Sequence, residues 1–138
     1  MSDNETVRAY LHREHADVLQ SAGRCADAVA ERWDGETTSD RTAVVPPLTA
    51  ALREAGVHER LPGVLLGAVS AVGEQLQARP VAGPPYVVVT SVGPVLRATL
   101  AERRLVVTLE LFTVRHDGAA PRYARRPADA DPVSVEFR

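Results

Sequence analysis

The chain has no lysine, no isoleucine, one cysteine and only 4% aromatic residues. Each shortage narrows what it can be. The lone thiol, Cys25, cannot close an internal disulfide and suits a reducing compartment, so the cytoplasm is the expected location. No apolar run reaches the roughly 18 residues needed to cross a bilayer. The stretch Met1 to Glu5 is acidic where a secretory leader would be basic. Neither a membrane span nor a leader is expected. All 16 basic residues are arginine, and there are 20 valines without a single isoleucine, a bias that GC-rich codon usage explains more simply than function does. A net charge of −2 argues against a general polyanion binder.

What is present is ordinary globular material. At 138 residues, 45% hydrophobic and 25% charged, the chain can bury a core of its own as one domain, 1–138. Charge is uneven: residues 1–80 hold 12 acids and 8 arginines, residues 81–138 hold 6 acids and 8 arginines. The pattern of apolar residues also changes near residue 80, dividing the chain into a helical half (1–79) and a β-rich half (85–138) joined by the Pro-rich stretch 78–85.

In the first half Ser2 or Asp3 can cap a helix. Val7, Leu11, His15, Val18, Ala22, Cys25, Val29 and Trp33 then fall within an arc of about 80°, predicting one long amphipathic helix ended by Asp34-Gly35. Gly23 is its weakest point. Glu36 to Arg41 reads as a polar connector. Pro46-Pro47 opens a short second helix through Ala55, stopped by Gly56. Pro62 begins a third, Gly63 to Gln77, whose only charge is Glu74, as expected of a helix sandwiched in a core or at a subunit interface.

In the second half Tyr86 to Val92 reads as a buried strand, with a bend or bulge at Gly93-Pro94. A hairpin follows: pairing Leu100 with Leu105 makes one face wholly apolar (Leu96, Ala98, Leu100, Leu105, Val107, Leu109) and sets Arg97 diagonal to Glu110. The strand runs on to about His116, Asp117-Gly118 turns the chain, Arg122 to Pro132 reads as a polar surface loop, and Val133 to Phe137 alternates as a last edge strand.

Defined chemistry is scarce. His12 and His15 have a chelating spacing but lack a third ligand in any metal motif, so a partly buried His15 with an internal partner is the preferred reading. Cys25 has no neighbouring base and reads as a core residue. Ser91 does not sit in a nucleophile elbow, and no phosphate-cradling glycine loop is present. No catalytic, cofactor or metal residue is assigned, and the protein is expected not to be an enzyme. Three helices followed by a hairpin carrying Arg103-Arg104 outline a winged helix, yet the third helix offers no arginine to a groove.

Glu31 to Gly35, Arg60 to Leu65, Pro85 to Ser91 and Gly93 to Leu100 together resemble a family of small uncharacterised proteins from halophilic archaea. Those stretches are packing and turn patterns, so the resemblance implies a shared fold and transfers no activity. The expected fold is α+β, with three N-terminal helices packed on a three- to four-stranded antiparallel sheet. The expected function is a non-enzymatic, homo-oligomeric interaction module without cofactor, contacting partners through Val64, Leu65, Val69, Arg103, Arg104, Arg125 and Arg126. Two alternatives stand beside it. One is a small-ligand pocket between the third helix and the sheet, lined by Leu66, Val69 and Leu96. The other is a winged-helix-like DNA binder using the hairpin and tail arginines.

Overall fold

The computed structural model describes residues 1–116 and 118–138, so Asp117 of the expected Asp117-Gly118 turn lies outside the described residues. The long first helix is two helices, α1 (Asp3–Glu14) and α2 (Ala16–Glu31), separated at His15, whose backbone (φ −131°, ψ 30°) leaves the helical region. Ser2 caps α1 as expected, its hydroxyl accepting from the Glu5 N–H at 3.2 Å. The predicted stripe is the buried one: Val7, Leu11, Val18, Ala22, Cys25 and Val29 are all in the core. The break falls at His15 rather than at Gly23. It frees α1 to lie against the sheet while α2 packs on the next helix, α3 (Val45–Glu54).

α3 ends at Gly56, which takes the left-handed conformation (φ 77°) that a side chain disfavours. α4 (Val57–Ala71) starts six residues earlier than its proline suggested and encloses Pro62. Complete or near-complete burial of Val57 and Leu61 outweighs the missing proline N–H. It also stops short of Gln77, because Gly73 (φ 76°) ends it with a Glu74 N–H to Val69 C=O bond of 3.2 Å.

The expected single sheet is two. A two-residue strand, β1 (Thr37–Thr38), lies inside the polar connector, so not all helices precede the strands. The main sheet is antiparallel, ordered β2–β3–β4–β7, from β2 (Val87–Val89), β3 (Pro94–Thr99), β4 (Arg104–Leu109) and β7 (Val133–Phe137). The second is ordered β1–β6–β5, with β5 (Phe112–Arg115) and β6 (Arg122–Arg125). The stretch read as a surface loop thus contributes β6, with Tyr123 and Ala124 buried, and the strand expected to reach His116 is interrupted between β4 and β5.

The hairpin register differs from expectation by two residues: Ala98 faces Leu105 and Leu96 faces Val107. The tighter turn, closed by a Leu100 N–H to Arg103 C=O bond of 2.8 Å, wins. A two-residue shift preserves both faces, because side chains alternate with period two. Leu96, Ala98, Leu105, Val107 and Leu109 therefore still point into the core.

β7 is an edge strand, and α1 covers it. Paired bonds at Arg104–Arg138 turn the carbonyls of Val133 and Val135 away from β4. Those carbonyls accept from Arg8 and, at 2.9 Å, from Asn4. Bare edge groups invite foreign strands, so these contacts both anchor α1 and close the sheet.

Candidate functional site

Of the seven expected contact residues, six are engaged within the chain. Val64, Leu65 and Val69 are 3%, 0% and 0% exposed, so they are core side chains and not an interface: α1, α3 and the sheet cover α4 from within the same molecule. The expected ligand pocket fails for a related reason, since Val69 and Leu96 are fully buried while Leu66 faces solvent at 42%. Arg103 reaches Asp3 and Glu74, each at 2.7 Å, and lies 4.1 Å over the Phe137 ring. Arg125 joins Asp27 to three backbone carbonyls. Arg126 donates to the Glu110 and Asp131 carbonyls, so Glu110 has Arg126 at 3.7 Å and not Arg97 as its ionic neighbour. With Arg103, Arg125 and Arg126 neutralised inside the fold, little cationic surface is left at the positions a winged-helix binder would use.

Arg104 is the exception, and the shifted register gives it a neighbour that sequence reasoning missed. Arg97 opposes Val106 and Thr99 opposes Arg104, so Arg97 and Arg104 are cross-strand diagonal neighbours on the outer face of the main sheet. Neither guanidinium has a hydrogen-bond or ion-pair partner among the described residues. They border a cleft of about 510 Å³ with Thr99 and Gln77, walled by Leu76, Pro85 and Leu100, and no acid lines it. The two-residue error concealed this pair by assigning Arg97 to Glu110.

A second groove, about 400 Å³, runs along α2 beneath the segment between β6 and β7. Two of its charged groups are already matched, Arg125 with Asp27 at 2.9 Å and His12 with Asp131 at 2.9 Å, and Arg24 bonds to the Ser21 hydroxyl. That leaves less for a charged ligand to satisfy there than in the arginine cleft.

The outer sheet face carries Val95 and Val106, only 8% and 6% exposed yet outside the core cluster. Across three strands, Arg97, Val106 and Glu136 form one row. The family described as a domain of unknown function, DUF7988, matches residues 5–138. The chain belongs to the DUF7988 family. No curated protein and no solved structure matches it.

The histidines do not converge. His15 Nε2 lies 3.0 Å from the Tyr10 hydroxyl, the internal partner expected for it, while His12 turns to Asp131. No group of three or more His, Cys, Asp or Glu residues suited to a metal occurs among the described residues, and no described helix is long and apolar enough to cross a membrane. Burial pushes the Cys25 thiol up, away from the thiolate form a nucleophile needs.

Burial holds His15 below the ordinary histidine range, and the Arg60 charge adds to this against Asp17 and Glu14. Burial, then Arg53, lowers His58 in the same way. Both bind a proton less readily in the fold than in the unfolded chain, so below about pH 6.5 the unfolded chain takes up protons that the fold resists. Their contribution is present above that pH and lost as pH falls toward the folded values. Thermal unfolding is expected at lower temperature at pH 5.5 than at pH 7.5, with a smaller difference in His15→Gln. An equal difference in native and variant protein would refute a role for His15.

Proposed function

We propose that this DUF7988 member is a cytoplasmic, non-enzymatic interaction module that pairs with a second copy through the outer face of its main sheet. The row Arg97–Val106–Glu136 carries the reading. A two-fold axis passing over Val106 and bisecting the angle of about 30° between the two β4 strands sets Arg97 of each copy against Glu136 of the other, with valine meeting valine. Stacked sheets lie about 10 Å apart, within the combined reach of arginine and glutamate. The angle of about 30° between such sheets carries the two Arg104 residues apart at the strand ends. Glu136 already meets Arg138 at 3.0 Å, but both side chains are more than half exposed, and such a pair contributes little to hold it in place.

Because Val95 and Val106 expose so little, the apolar gain is small, and the two ion pairs dominate. Association is therefore weak and salt-sensitive. The lone buried thiol supports the cytoplasmic, non-catalytic part of the reading. Sedimentation equilibrium is expected to find dimers at low salt that dissociate as salt rises. Arg97→Glu or Glu136→Arg alone should abolish them, and the double reversal should restore them. A strict monomer at millimolar concentration and low salt rejects the proposal, as does a charge reversal without effect.

A further inference from the structure

We infer that the cleft at the hairpin end of the outer face binds a small organic anion, an oxyanion group carried on an apolar body. The diagonal placement of Arg97 and Arg104 puts their Cα atoms about 7 Å apart, close enough for like charges to repel. Three half-buried arginines meet acids within the fold, Arg103 with Asp3 and Glu74, Arg125 with Asp27, Arg126 with Glu110. Arg97 and Arg104 are exposed, and what sets them apart from other exposed arginines is that they border one cleft that no acid lines. Within one protomer neither guanidinium has a counter-charge, so the pair forms a ready receptor for a carboxylate or phosphate, one that competes for Arg97 with the dimer contact and leaves Arg104 to the anion alone; their N–H groups are donors only and match oxyanion geometry in pairs.

The remaining lining narrows the ligand. Thr99 and Gln77 add neutral hydrogen-bonding groups beside the arginines, while Leu76, Pro85 and Leu100 form an apolar wall. At about 510 Å³ the cleft falls in the range of small-molecule sites and exceeds the needs of an inorganic ion. A charged head toward the arginines and an apolar body against the leucines uses both parts. In the groove along α2, by contrast, Arg125 and His12 are already paired to aspartates, and Arg24 is the one lining arginine without an acid.

Calorimetric titration with phenyl phosphate, benzoate, inorganic phosphate and benzylamine tests the assignment. At least one of the two organic anions is expected to bind with one-to-one saturation, and which of them does so identifies the head group. Inorganic phosphate should bind at least tenfold more weakly than the preferred organic anion, and benzylamine not at all. Arg104→Gln should lower the affinity at least tenfold. Its melting temperature without ligand should be unchanged or raised, since one of two repelling charges is gone. Failure of both organic anions to saturate in the millimolar range overturns the inference, as does undiminished binding by Arg104→Gln. Equal binding of inorganic phosphate removes the apolar body, and binding of benzylamine removes the charge selectivity. Arg104 lies outside the Arg97–Glu136 contact, so an anion-binding failure in a protein that still dimerises is separable from a dimer failure in one that still binds anions.

Discussion

Replacing Gly93 with alanine is expected to destabilise the protein by about 3–5 kcal/mol, a large part of the roughly 5–15 kcal/mol that holds a domain folded. Gly93 has φ 151°, and a Cβ there would lie 1.9 Å from the Leu109 carbonyl oxygen and 3.1 Å from its carbon. The obstacle is backbone, so no rotamer relieves it. Leu109 is held by pairing with Val133, and just beyond it the Leu111 and Phe112 N–H groups both donate to the Val92 carbonyl at 2.9 and 3.0 Å. The chain leaves the main sheet for the second one at this crossing. Urea unfolding followed by Trp33 fluorescence and circular dichroism measures the effect, with Gly35→Ala as the control because nothing lies within 4 Å of its added Cβ. A Gly93→Ala protein within about 0.5 kcal/mol of native would show that the crossing tolerates a Cβ.

Arg125→Met is expected to destabilise by about 3 kcal/mol or more, with the loss centred on the second sheet. The guanidinium is 19% exposed and spans three elements. It donates to Asp27 at 2.9 Å and Gly23 C=O at 3.2 Å on α2, and to the Leu111 and Arg126 carbonyls at 3.1 and 3.0 Å. Methionine keeps the aliphatic stem and removes every donor, so the Gly23 and Arg126 carbonyls and the Asp27 carboxylate lose this partner, while the Leu111 carbonyl keeps the Arg126 N–H at 3.0 Å. Lysine restores one point donor where a planar fork served four acceptors, so Arg125→Lys should recover only part of the loss. Amide hydrogen exchange distinguishes the mechanism: Phe112 to Arg115 and Arg122 to Arg125 should lose protection before β3 and β4 do. Uniform loss across both sheets, or stability equal to native, would contradict a local tie.

The Arg125 network also explains why Gly23 marked no break in α2. The Gly23 carbonyl accepts from the Arg125 guanidinium at 3.2 Å, which ties the helix down at that point. The glycine was legible and this tie was not, because the partner lies about a hundred residues away. Gly73 was the reverse case, since its position after the apolar run of α4 was already a stop signal of the Gly56 kind.

The candidate site was legible in part. Arg104 was singled out for lying at a hairpin tip, and Arg97 for lying on the polar face of the same hairpin. Their juxtaposition depends on register, and a pattern that repeats every two residues cannot distinguish registers two residues apart. Val64, Leu65 and Val69 were misjudged because an uncharged helix looks the same whether its own chain or another covers it.

Periodicity and turn residues alone determined the mixed α+β class, the apolar stripe from Val7 to Val29, the dry face of the hairpin and the terminal strand β7. Local spacing is sufficient there, because the side-chain direction of each residue follows from its neighbours. Tertiary structure decided the break at His15, the division into two sheets, the internal use of Arg103, Arg125 and Arg126, and the unanswered pair Arg97 and Arg104. Those outcomes depend on which distant groups meet, and hydrogen bonding and burial choose among arrangements that local patterning leaves equal.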